Sequence, residues 1–244
     1  MDTSLLLAFC LALGAMLYST VGHGGASAYL ALMALFGLPP AVMKPTALVL
    51  NLLVAGLGSL RYLRAGQFRW RTLWPFLVGA MPFAVAGGAI HLPADLYKPL
   101  VGIVLLLSAV RLLWPREIRA MHESRDPPIW LAIAIGAGIG LLSGLTGTGG
   151  GIFLSPLLLF LGWSMPKPLT GVASLFILAN SAAGLLGNLA SVGRLPAELP
   201  LYAGAVLLGG LAGTTLGIRL EAPLILKALG LVLVVAGVKL LGLF

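Results

Sequence analysis

Apolar stretches long enough to cross a bilayer recur along almost the whole chain, from SLLLAFCLALGAMLYST near the N-terminus to LGLVLVVAGVKLLGLF at the end. A hydrocarbon core about 30 Å thick takes roughly 20 helical residues to cross. Within it, every backbone amide and carbonyl must be satisfied inside the protein, so only helices and closed barrels span it. The aliphatic runs do not alternate with polar residues, which argues against a barrel. The chain is 59% hydrophobic and 9% charged over 244 residues, too little charge to coat a water-facing surface. The expected fold is an all-α polytopic membrane protein.

The N-terminal MDTSLLLAFC carries Asp2 and no basic residue, a poor match to a signal peptide, so residues 5–22 are read as mature structure. A lone cysteine, Cys10, excludes an intrachain disulfide and a cysteine metal cluster. The net charge of +8 sits in short loops between apolar spans. That is the pattern of topology signals, not of a nucleic-acid surface.

Internal repetition organises the chain. VGHGGA (21–26) aligns with TGTGGG (146–151), and LYKPLVGIVLLLSAVRLL (96–113) aligns with LILKALGLVLVVAGVKLL (224–241). Five blocks recur: 4–22, 25–38, 41–61, 71–91 and 96–114, then 129–147, 150–163, 167–190, 199–219 and 223–243. Eight to ten transmembrane segments follow. They form an N-terminal repeat (1–114), a linker (115–128) and a C-terminal repeat (129–244). The second block of each half, about 14 residues or 21 Å as a helix, is short for a full crossing. It is read as a short buried span or one arm of a re-entrant hairpin.

Charge sets the orientation. The loop after the third block carries Arg61, Arg64, Arg69 and Arg71 with no acid, and the linker region carries Arg111, Arg116, Arg119 and Arg125. Both are expected in the cytoplasm by the positive-inside rule. The counterpart loop of the second half, SVGRLPAE, balances Arg194 with Glu198. The halves are therefore expected in opposite senses, with both termini outside the cell (inner) membrane. Inverted repeats are a common plan of secondary carriers, whose sites lie near the midplane at broken helices.

Several residues stand out as candidates for binding a substrate. Gly22, Gly24 and Gly25, with Gly147, Gly149 and Gly150, permit backbone conformations that break a helix, just before a short block. The amides freed there, at the positive end of a helix dipole, suit an anion. Close helix packing is the other use of such glycines. His23 aligns with Thr148, and is either a donor or proton carrier, or a neutral ring satisfied by a carbonyl. Lys44 and Lys167, each in a Lys-Pro pair, either draw anions to the two mouths of a pathway or snorkel at an interface. Thr46, Asn51, Ser174, Asn180, Ser181 and Asn188 are polar groups in the apolar third blocks, as helix glue or as the lining of a cavity. The cavity is favoured for Asn51 and Asn180.

All seven acids, Asp2, Asp95, Glu117, Glu123, Asp126, Glu198 and Glu221, fall in tails, loops or helix ends. No carboxylate stands mid-membrane to hold a cation or relay protons. No motif for a phosphate-binding loop, a zinc site or a cofactor occurs. The paired glycine motifs, the Thr/Ser-rich third blocks and the length resemble the TauE/SafE family of sulfite-exporter-like permeases. This resemblance implies transport of small sulfur-containing anions such as sulfite, sulfonates including sulfoacetate, or thiosulfate. The expected protein is thus a secondary carrier embedded in lipid and working by alternating access, without cofactor, metal or nucleic-acid partner. An anion channel is the alternative, and a hydrolase built on Ser143 is a remote one.

Overall fold

Proline and glycine set the boundaries of the helices. The computed structural model describes residues 3–113, 125–189, 195–219, 233–235 and 237–242; of 111, 112, 160, 166, 167, 218 and 219 it describes the backbone only. The described residues contain the helices α1 (Thr3–Ser19), α2 (Ala26–Leu35), α3 (Pro40–Arg64), α4 (Trp70–Ala89), α5 (Ala94–Leu113), α6 (Ile129–Thr146), α7 (Gly151–Phe160), α8 (Pro166–Gly187) and α9 (Leu199–Arg219). These are the first nine expected blocks. Most of the linker and most of the tenth block lie outside the described residues. Pro40 and Pro166 open α3 and α8 at the first helical position, where a missing amide hydrogen costs nothing. Among the described residues, five helices are long and apolar enough to cross a membrane: α3, α4, α6, α8 and α9. At 10 residues each, α2 and α7 are too short to cross alone. The chain is all-helical with these two short helices placed after glycine breaks, as expected.

Two close-packed seams flank a central pair. Along α6, a Cβ added at Gly136, Gly140 or Gly144 would meet the carbonyl oxygens of Phe76, Ala80 and Ala84 on α4. Along α9, Gly209, Gly213 and Gly217 lie in the same way against Ala12, Met16 and Thr20. Lipid supplies no hydrophobic drive between helices, so backbone approach through small residues holds such seams together. Exchanging α1 with α6 and α4 with α9 maps one helix pair onto the other, though the glycines lie on α6 in one seam and on α9 in the other; the pairing is consistent with two structural repeats. Between the seams, Gly58 of α3 faces Ser174 of α8 and Gly184 of α8 faces Leu48 of α3, so these corresponding helices run antiparallel. That direction is consistent with halves inserted in opposite senses. Phe9, Phe83, Leu107 and Leu208 are exposed on the outside, where the hydrocarbon would be.

The seams make a sharp test possible. A Cβ at Gly140 would sit 2.1 Å from the Ala80 carbonyl oxygen, whereas one at Gly138 meets nothing within 4 Å. Gly140→Leu is expected to destabilise the protein by about 1–3 kcal/mol or more through overpacking. Gly138→Ala on the same helix should be neutral or slightly stabilising, since alanine is the better helix former by roughly 1 kcal/mol. Thermal unfolding in detergent reads both. Equal melting points for the two variants would contradict the seam.

Candidate functional site

The two glycine breaks come together in the interior. After α1 ends at Ser19, the chain turns through Gly22 (φ +77°) and Gly25 (φ +104°) before α2 begins. After α6, it turns through Gly147 (φ +86°), Gly149 (φ +75°) and Gly150 (φ +78°) before α7. Gly25 and Gly150 are the N-caps of α2 and α7, both left-handed and neither supplying a side-chain cap. Only glycine takes this conformation without penalty. The motif alignment Gly22/Gly147 and Gly25/Gly150 therefore corresponds to matching backbone geometry.

Each break rests on the third helix of the opposite half. The Ser174 hydroxyl of α8 donates to the Gly22 carbonyl at 2.8 Å. A Cβ on Gly147 would lie 3.2 Å from the Lys44 carbonyl of α3. His23 binds the breaks to each other: its Nε2 lies 3.2 Å from the Gly151 carbonyl oxygen and its Nδ1 3.2 Å from that of Val21. Its ring also meets Tyr18 edge-on, with centroids 6.1 Å apart.

Asn51 is the hub. Its Oδ1 accepts from the Ala26 amide at 3.2 Å, capping α2, and its Nδ2 donates to the Ser181 hydroxyl at 2.8 Å. It also borders both breaks, because a Cβ at Gly24 would strike Oδ1 and one at Gly149 would strike Nδ2. Asn180 sits correspondingly against the second break, but differently. Its Nδ2 donates to the Gly149 carbonyl at 3.3 Å, while its fully buried Oδ1 has no hydrogen-bond partner among the described residues. The α2 N-terminus is thus capped by an asparagine, and the α7 N-terminus is not. An uncapped helix N-terminus presents its first amides and the positive end of its dipole.

The remaining candidates are distributed around this centre. Thr148, buried, pairs with Thr146 across 3.0 Å. Thr46 is fully buried, and its hydroxyl has no hydrogen-bond partner among the described residues. Lys44 is buried within α3, where its ammonium donates to the carbonyls of Gly87, Gly88 and Ile90 at the end of α4. It also lines a cavity of about 330 Å³ with His91, Tyr97 and Asn188. The side chain of Lys167 lies outside the described residues. The two Lys-Pro pairs are not at matching helical positions: Lys44 is the fifth residue of α3 and Lys167 the second of α8. Ser143 is buried and its hydroxyl has no hydrogen-bond partner among the described residues.

Two further residues belong to the centre: Ser181, one of the polar groups of the third blocks, and Tyr29, which was not singled out. Ser181 receives the Asn51 amide, and the Tyr29 hydroxyl donates to the Gly24 carbonyl at 2.6 Å. Tyr29 stands in an alanine-rich helix and looks like core.

The profile of a family described as "Sulfite exporter TauE/SafE" matches residues 6–240. A "Probable membrane transporter protein y4hK" of Sinorhizobium fredii (strain NBRC 101917 / NGR234) is 39% identical, covering 99% of this chain and 100% of the relative. A "Probable membrane transporter protein YjnA" of Bacillus subtilis (strain 168) is 29% identical, over 84% of this chain and 85% of that one. No solved structure matches.

Proposed function

The chain belongs to the sulfite exporter TauE/SafE family of membrane transporters, and from that premise we propose that it is a secondary carrier for small sulfur-containing anions such as sulfite, sulfonates or thiosulfate. The observation that carries this reading is the meeting of the two glycine breaks at one buried place, with the N-termini of both short helices beside Asn51 and Asn180. None of α1, α2, α3, α7 or α8 carries an acid. A site made of amides, hydroxyls and one imidazole suits an anion, because its N–H and O–H groups can offer hydrogen and no fixed negative charge stands on these helices to repel it. The anion is held by residues 22–25, 147–150, Thr46, Asn51, Ser174 and Asn180. Alternating access rocks the repeat 1–114 against the repeat 129–244 around this point. The antiparallel run of α3 and α8 supports that division.

Orientation follows the charge pattern, with the four-arginine loop and the linker in the cytoplasm and both termini outside. The ion pairs of Asp126 with Arg69 at 3.3 Å and Arg71 at 3.8 Å support a shared side for loop and linker. For an uncoupled anion, an inside-negative potential contributes about 2.3 kcal/mol per charge per 100 mV to exit. A potential of ~150 mV then supports roughly a 300-fold gradient of a monovalent anion. The test is flux of sulfite, methanesulfonate and thiosulfate into liposomes holding the purified protein, with imposed gradients of anion, potential and pH. Saturable flux of one of them at carrier rates is expected. Flux far above carrier turnover indicates a channel, and no flux of any of them removes the substrate class.

A further inference from the structure

We infer that the cavity between the starts of α3 and α5 and the end of α8 is a second anion site, where Lys44 and Asn188 hold the anion on its way to the glycine breaks. The inference rests on the anion-carrier reading for its ligand, a small sulfonate-like oxyanion. The cavity holds about 330 Å³ and is lined by Lys44, Ile90, His91, Tyr97, Leu145 and Asn188. Lys44 is 7% exposed and Asn188 1%, so both are withdrawn from the outer surface. The buried amide nitrogen of Asn188 has no hydrogen-bond partner among the described residues. A buried donor left unpaired is costly, and an acceptor is what completes it.

The Lys44 ammonium meets the carbonyls of Gly87, Gly88 and Ile90 at 3.3, 3.0 and 3.3 Å. These close α4, whose dipole supplies only a partial negative charge. Among the described residues, the ion pairs are those of Asp126 with Arg69 and Arg71, beyond the far end of α3. Asp95, next to the α5 wall of the cavity, is exposed and takes part in none of them. A buried cation without a carboxylate and a buried amide without an acceptor therefore share one cavity, and an anion completes both. It draws on the charge of Lys44 and can take over either of the 3.3 Å bonds.

The position suits an entry site. Lys44 and Arg61 stand near opposite ends of α3, roughly 25 Å apart at 1.5 Å per residue. The cavity thus lies away from the four-arginine loop, on the side that the charge pattern puts outside. Its inner wall adjoins the second break. The Tyr97 hydroxyl donates to the Thr146 carbonyl at 2.9 Å, and a Cβ on Gly147 would lie 3.3 Å from Lys44 Cγ. At the other end of α3 the halves are bonded together, Arg61 donating to the Leu211 carbonyl at 3.1 Å and the Thr215 hydroxyl at 2.9 Å. The approach to the break is from the Lys44 side.

A thiol at the rim tests this. Ala41 lines the cavity, is exposed, and lies one turn before Lys44. Ala41→Cys, made with Cys10→Ser, is modified in detergent by two methanethiosulfonate reagents, one bearing a sulfonate and one a trimethylammonium group. Relative to a free thiol, the sulfonate reagent is expected to be favoured about tenfold or more, because a cleft focuses the potential of its charge. Methanesulfonate should slow the modification saturably, and dimethyl sulfone, of the same shape without charge, should not. Lys44→Met should remove both effects. Asn188→Leu should keep the preference and raise the protecting methanesulfonate concentration about tenfold. Equal preference for the two reagents, or no protection by methanesulfonate beyond that by dimethyl sulfone, overturns the proposal and leaves Lys44 as a cap on α4. Those two readouts stand on the Lys44 protein, so they decide even where Lys44→Met does not fold. Saturable anion flux in liposomes without preference or protection overturns the second site and leaves the carrier reading standing. Preference and protection without flux remove the carrier reading and leave the anion site.

Discussion

Gly149→Ala is expected to stop transport while leaving the helices in place. Two costs fall on one atom. Gly149 has φ +75°, a left-handed conformation that costs a residue with a Cβ about 1–2 kcal/mol. That Cβ would also lie 2.2 Å from Asn51 Nδ2 and 2.9 Å from the Ser181 hydroxyl. Neither group can step aside freely, because they are bonded to each other and Asn51 also caps α2. Overpacking of this kind adds about 1–3 kcal/mol. The break must either shift or detach Asn51, and both outcomes remove the site. Flux should fall at least 100-fold in liposomes, while the circular dichroism spectrum in detergent remains helical. Gly138→Ala serves as the matched control, because it adds the same methyl group to open space. Retained flux in Gly149→Ala would mean that the second break is not part of the pathway.

Much of this arrangement was legible in the sequence, for physical reasons that differ from element to element. Span lengths follow from bilayer thickness, so α3, α4, α6, α8 and α9 appear within a few residues of their expected blocks. The breaks at 22–25 and 147–150 were legible because left-handed backbone calls for glycine, and glycine is visible as a letter. The seams were not foreseen. Gly136, Gly140 and Gly144 read as ordinary small residues until α4 is laid against them, since a contact between distant helices leaves no local periodicity. The side-chain roles were legible only in part. Asn51 and Asn180 were both favoured as cavity lining, yet one caps a helix and the other leaves an oxygen bare. That difference depends on rotamers and neighbours, which spacing does not encode. Lys44 and Lys167 likewise share a dipeptide but not a helical position.

The two asparagines should separate stability from transport. Leucine is close to asparagine in size and removes all its hydrogen bonding. In Asn51→Leu, the Ala26 amide loses its cap and the Ser181 hydroxyl its donor, both in the buried interior. Leaving buried groups unpaired costs about 1–3 kcal/mol each, although hydrogen bonds between membrane helices average nearer 0.6 kcal/mol. A loss of about 1–4 kcal/mol, with flux abolished, is expected for this variant. Asn180→Leu differs in sign on one of the two readouts. Its Nδ2 makes one long bond of 3.3 Å to the Gly149 carbonyl, and its Oδ1 is buried with no partner among the described residues. Removing an unsatisfied buried oxygen offsets the lost bond, so the melting point should stay within a few degrees of wild type or rise. Flux should still fall at least tenfold, because the Asn180 amide nitrogen has a second hydrogen to offer an anion beside the α7 N-terminus, whereas its Oδ1 only accepts and cannot hold one. A variant that melts like the wild type and transports like it would place Asn180 in the packing and not in the site. A variant of unchanged stability and lost transport makes the Asn180 amide part of the binding surface.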